Sequence, residues 1–216
     1  MASNALRASL ALLAFVCATV STPAQEVVRS RQNIEYRLID PQPVETGDRI
    51  EVIDFFWYGC PFCNALQPAL EAWRKRKPAD VFLRRIPAIL NDSWKPHARI
   101  YYTLERLNEV SRLHLQVYYG YHVERLHMSK PDVMADWAAR HGIDRQRWLD
   151  AYYSREVDEK VERAKRLTKA YSVAGTPTLV VDGRYLTSGE LAPSLQGMIP
   201  VLEDLIRLAR RHRVAR

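Results

Sequence analysis

Val52-Ile53-Asp54-Phe55-Phe56-Trp57-Tyr58-Gly59-Cys60-Pro61-Phe62-Cys63 decides the reading of this chain. The run is apolar apart from Asp54, as in a central strand buried on both faces. Gly59 breaks it, and Pro61 stands where the first turn of a helix tolerates proline. A strand therefore feeds a turn, and the turn opens a helix carrying two thiols. The only other cysteine of the 216 residues is Cys17. Two thiols three residues apart lie on one side of a helix, one turn from each other. Cys60 sits at the helix start, where unpaired N–H groups favour an anion, so it is the candidate attacking or attacked sulfur, with Cys63 as the buried resolving partner. Zinc is the competing use of this spacing, but a tetrahedral site needs further ligands. There is no second cysteine pair, and His114, His122 and His127 are spaced like ordinary core or surface histidines.

Working outward to the N-terminus, Arg7, the apolar stretch from Leu10 to Val20, and Ser21-Thr22-Pro23-Ala24 have the layout of a secretory signal. The expected cleavage point follows Ala24, so residues 1–24 are assigned to a signal peptide and Cys17 leaves with it. The stretch is too short for a transmembrane helix. Of the 32 Lys and Arg residues only Arg7 lies in that segment, which leaves the mature chain at +6 against +7 for the whole. The basic residues are interleaved with Glu and Asp along helices, the pattern of a solvated face and not of a nucleic-acid site. The denser tail from Arg207 to Arg213 suits a helix C-terminus, and leaves contact with an anionic membrane surface open. The remaining length buries a core without disulfide staples, and a loop as short as Cys60–Cys63 removes little chain entropy. The pair thus reads as a redox dithiol.

Tyr36-Arg37-Leu38-Ile39 suits a short edge strand, and Val81-Phe82-Leu83-Arg84-Arg85-Ile86 a second core strand. The helix after Cys60 continues through Leu66, Leu70 and Trp73, with Pro68 expected to kink it. Residues 91–171 read as helical almost throughout, with Ser129 capping a helix that Gly142 stops. Thr178-Leu179-Val180-Val181, the turn Asp182-Gly183 and Arg184-Tyr185-Leu186-Thr187 form a hairpin. A closing helix is expected from Leu191 to about Arg211.

This order, with the dithiol at the first strand-to-helix junction and Val173-Ala174-Gly175-Thr176-Pro177-Thr178 before the hairpin, resembles the thioredoxin fold, and specifically the DsbA-type periplasmic oxidoreductases. The resemblance implies an α/β thioredoxin fold with an inserted all-helical domain: residues 25–90 and 172–216 form the two parts of the thioredoxin-like domain, and 91–171 the insertion. It implies a cis Thr176–Pro177 bond facing the dithiol, which from the residues alone would be an ordinary trans proline before a strand. Thr176 would then pair with an extended substrate segment, with Pro61 and Phe62 beside it. The family usually has Glu at the position of Asp54 and thioredoxins have Asp. Asp54 is thus a candidate acceptor of the Cys63 proton, or one half of a structural ion pair with Arg85, or with Arg84 in the other register. Phe62 departs from the family's usual His, which leaves one interaction fewer for the thiolate.

The expected function is a thiol:disulfide oxidoreductase that donates the Cys60–Cys63 disulfide to reduced, newly exported proteins in the periplasm. The resemblance implies reoxidation by a quinone-linked, DsbB-like inner-membrane protein, a monomeric state, and no metal or small-molecule cofactor. The rivals are a disulfide isomerase or reductase of the same fold, and a non-catalytic binding or chaperone-like protein. Isomerases of this kind usually carry an N-terminal dimerisation domain, for which the about twenty-five residues before the first core strand leave no room.

Overall fold

The structure, a computed structural model, describes residues 27–215. The expected signal peptide, with Cys17, lies outside the described residues. Five strands form one mixed sheet: β1 (Arg37–Leu38), β2 (Ile50–Phe56), β3 (Val81–Pro87), β4 (Thr178–Val181) and β5 (Tyr185–Ser188), in the order β1-β5-β4-β2-β3. β2 runs parallel to β3 and antiparallel to β4. All seven residues of β2 are buried, and its side chains alternate between two layers. Ile50 and Val52 pack with Leu66, Leu70, Trp73 and the closing helix, while Ile53 and Phe55 pack with the helices between β3 and β4.

The first layer contains α1 (Pro61–Arg76) and α7 (Met198–Val214). The second contains α2 (Lys95–Arg106), α3 (Val110–His122), α4 (Pro131–Arg140), α5 (Arg145–Tyr152) and α6 (Arg155–Ala170), entered through a 3-10 turn at Asp92–Trp94. Its buried residues, among them Tyr101, Tyr118, Trp137 and Trp148, belong to the same apolar cluster as Phe55, Phe56 and Cys63. The helices therefore close directly over the sheet and the dithiol.

The β4–β5 turn holds Asp182 and Gly183 at φ of 53° and 63°, and the Arg184 N–H closes it on the Val181 carbonyl at 3.1 Å; Val181 faces Tyr185, so Arg184, expected in the return strand, belongs to the turn. A Cβ on Gly183 would also lie 2.2 Å from the Gln42 carbonyl oxygen. Two further expectations need correction. Ser129 caps nothing: α4 begins at Pro131 after Lys130, which makes no side-chain cap, and Pro131 lacks one of the N–H groups a cap would serve. The closing helix starts at Met198, because the chain from Leu191 first turns through Pro193 and Ser194, whose hydroxyl accepts from the Gly197 N–H at 2.9 Å. Pro68 lies within α1, which runs on through Leu70 and Trp73 as expected.

Candidate active site

β2 delivers a tight turn in which the Cys60 N–H donates to the Trp57 carbonyl at 3.0 Å. Cys60 is extended and caps α1, its sulfur accepting the Cys63 N–H at 3.3 Å, and Pro61 takes the first helical position. A side-chain acceptor here satisfies one of the N–H groups a helix start leaves unpaired. Cys60 retains 6% of its exposure and Cys63 none. The expected asymmetry is present, but the outer thiol is more covered than an open helix start would leave it. The cover comes from the segment before β4. The Thr176–Pro177 bond is cis, and the Cys60 thiol donates to the Thr176 carbonyl at 3.2 Å.

A cavity of about 490 Å³ adjoins this contact, lined by Phe62, Thr176, Pro177, Leu186, Leu191 and Leu195 among others. Phe62 is 64% exposed, a large apolar side chain at the mouth of the site. Pro61 is exposed beside Cys60 but does not line this cavity. Tyr58 is wholly buried and adds nothing to the open apolar surface, while Trp57 is half-buried.

The electrostatics separate the two thiols. A hydrogen bond from the Cys63 side chain is the largest influence holding Cys60 down at about 6; burial opposes it, and the Thr176 side chain with the amides of Cys63 and Phe62 adds to it. Burial pushes the Cys63 thiol well up, and the sulfur of Cys60 reinforces the shift. Asp54, 1% exposed, is raised to about 6, chiefly by burial, with Arg85 pulling it down and Glu71 pushing it up. The β2–β3 register sets Asp54 opposite Arg85, whereas Arg84 pairs with Glu45 and Glu51 at 2.9 Å each. Asp54 makes no hydrogen bond to Cys63; Tyr118, whose phenol is raised first by burial and then by Cys63 and Asp54, stands near the two of them. Among the described residues no group of three or more His, Cys, Asp or Glu is placed to hold a metal ion.

Several residues around the turn escaped the sequence reading. Trp57 stacks on Trp94, ring centroids 4.1 Å apart and 5° from parallel, with His97 on the same assembly. Tyr58 hydrogen-bonds through its hydroxyl to His114 Nδ1 at 2.9 Å and through its carbonyl to His122 Nε2 at 2.9 Å. The buried Gln67 donates to the Cys63 carbonyl at 3.4 Å. The one signal for the histidines was their spacing of eight on α3, which places both on the face toward the sheet.

Residues 51–197 match the family model described as the DSBA-like thioredoxin domain. The chain belongs to that family. It is 36% identical to the thiol:disulfide interchange protein DsbA of Bordetella parapertussis over 212 residues, covering 98% of this chain and all of that one. It is also 36% identical to the protein of the same name from Pseudomonas aeruginosa over 166 residues, 77% of this chain and 78% of the relative. The crystal structure of Pseudomonas aeruginosa DsbA superimposes with a TM-score of 0.81 at 34% identity, covering 85% of this chain and 96% of that one. Oxidoreductase DsbA from Xylella fastidiosa gives 0.76 at 27%, covering 82% and 96%. The fold is the thioredoxin-like fold of this family, and the reaction class is thiol–disulfide oxidoreduction.

Proposed function

We propose that the protein oxidises other proteins, passing on its Cys60–Cys63 disulfide. The observation that carries this is the pairing of a depressed Cys60 thiol, about 6, with a raised Cys63 thiol at a helix start facing Thr176–Pro177. A substrate thiolate attacks Cys60 Sγ and breaks its bond to Cys63, which leaves with the electron pair and takes up a proton. A second substrate thiolate then attacks the substrate sulfur of the mixed disulfide. The substrate leaves with its disulfide, Cys60 is released as a thiolate, and two electrons have passed to the protein. A low leaving-group pKa speeds that release and favours the reduced protein, hence oxidation of the substrate.

Asp54, raised to about 6, suits a group that exchanges a proton near neutrality, and we assign it the proton that Cys63 takes up on leaving and gives up when it attacks a mixed disulfide. Thr176, Pro177 and Phe62 would receive an extended substrate segment in the adjoining cavity, and Pro61 would present Cys60 at the first helical position. We read residues 91–171 as one inserted helical unit, since α2 to α6 fall between β3 and β4. Periplasmic location, a cleaved signal, a monomeric state, reduced exported proteins as substrates and reoxidation by a quinone-linked membrane protein belong to the same proposal. A nucleic-acid partner is disfavoured by charge pairing: on the basic tail, Arg207 meets Asp204, Arg210 meets Asp80 and Arg213 meets Asp182.

The test mixes oxidised protein with a reduced two-cysteine peptide and follows peptide disulfide and protein thiol together. Stoichiometric transfer, lost in Cys60→Ser, is expected. No transfer in either direction would reduce the protein to a binding module. Transfer only from reduced protein to a peptide disulfide would make it a reductase, a reading that Phe62 in place of His favours.

A further inference from the structure

We propose that His122 is a positioning residue for thiol–disulfide exchange: its ring N–H holds the Tyr58 carbonyl and so fixes the turn that delivers Cys60 to the start of α1. Trp57 to Cys60 is a β-turn, closed by the Cys60 N–H on the Trp57 carbonyl at 3.0 Å. In such a turn the central peptide, here Tyr58–Gly59, makes no bond of the turn itself. Its orientation is the variable that separates type I from type II. Gly59 is the residue that would permit the flip, because type II asks for a left-handed residue at that position. Gly59 is not left-handed here, while Gly47, Gly142 and Gly183 are. Something other than glycine's own preference therefore chooses between the two.

The choice is made from α3. A carbonyl oxygen only accepts, so the His122 Nε2 at 2.9 Å must carry the hydrogen. The ring is held in place: it lies over Tyr118, centroids 6.1 Å apart and 18° from parallel, and meets Tyr121 edge-on at 5.0 Å. Two turns earlier on the same helix, His114 holds the Tyr58 hydroxyl. That bond anchors the side chain but leaves the peptide plane beyond it free. His122 is the group that takes the plane itself. Flipping it would exchange the sides of the Tyr58 carbonyl and the Gly59 N–H, reversing a peptide dipole one residue from Cys60.

This rests on Cys60–Cys63 being the exchanging pair. The test uses wild type, His122→Leu, which cannot donate, and His122→Gln, whose amide can. Each is equilibrated with glutathione, and its Cys60 thiolate is titrated by absorbance at 240 nm. Leu should move the glutathione equilibrium about three-fold or more toward the disulfide and raise the pH at which the thiolate forms, while Gln recovers most of the shift. No displacement in Leu, or equal displacement in Leu and Gln, overturns the proposal. If the Leu variant does not fold, the wild type decides: nitrogen NMR of His122 should show the hydrogen on Nε2, and a hydrogen on Nδ1 alone overturns the assignment. A wild type that never equilibrates with glutathione would instead sink the reaction assigned to the pair.

Discussion

Arg85 stands opposite Asp54 on the neighbouring parallel strand, yet its Nε is 4.0 Å from the Asp54 carboxylate while its Nη2 hydrogen-bonds to Glu71. The buried carboxylate is thus only half compensated, which is why burial wins and its pKa rises from 3.8 to about 6. A carboxyl raised on folding makes the folded state the better proton binder, so its stability cost appears as pH climbs from about 4 to about 6 and persists above. Asp54→Asn should stabilise the protein by roughly 3 kcal/mol at pH 8 and leave it nearly unchanged at pH 4, by urea unfolding at both. The same variant should slow resolution of mixed disulfides by about 10²-fold if Asp54 takes the Cys63 proton. Greater stability with unchanged resolution would leave Asp54 a structural ion-pair member.

The Cys60 thiol has the opposite sign. Its pKa falls from 9.0 to about 6, so the reduced protein gains stability as pH rises from about 6 to 9 and loses it as pH falls through 6. The disulfide form has no such group. The stability difference between reduced and oxidised protein should therefore grow across this window, by roughly 2 kcal/mol after allowance for solvent screening. Denaturant melts of both forms at pH 5.5 and 8.5 would show it; a constant difference would mean an unactivated thiol.

Phe62 is exposed at the mouth of the site and offers the Cys60 thiolate no side-chain hydrogen bond or charge. Phe62→His should stabilise the thiolate and so the reduced form, making the pair more oxidising. A further drop of one pKa unit corresponds to about 1.4 kcal/mol, or about 30 mV for a two-electron couple. Equilibration in glutathione buffers measures the shift. An unchanged or more reducing potential would assign the poise to the helix start and backbone.

At Gly59 a Cβ would fall 2.3 Å from the Trp57 ring, which folds back over it. Gly59→Ala should cost about 1–3 kcal/mol by pushing Trp57 off Trp94. The loss should be much smaller when measured in a Trp57→Ala background, since the two residues share one space. Equal losses in both backgrounds would place the strain elsewhere.

How far the sequence carries can be judged from the same residues. The buried strand, the dithiol and the Asp182-Gly183 turn were legible because each is written locally, in an apolar run, a spacing and a φ requirement. The choice of Arg85 over Arg84 depended on strand register, which a one-residue slip reverses. The start of α7 was misplaced because apolar Leu191 and Ala192 precede a turn set by Pro193 and Ser194. The two histidines looked ordinary because the feature that distinguishes them, Tyr58, lies 56 and 64 residues away in the chain.

The carbonyl that meets the Cys60 sulfur belongs to a residue 116 positions later. A growing chain therefore exposes its reactive thiols long before it has made the groups that govern them. During that interval Cys60 lacks the cover of the Thr176–Pro177 segment, and its chemistry is that of an unguarded cysteine. A chain that stops short of Thr176 therefore carries both cysteines without the carbonyl that meets Cys60 in the finished fold.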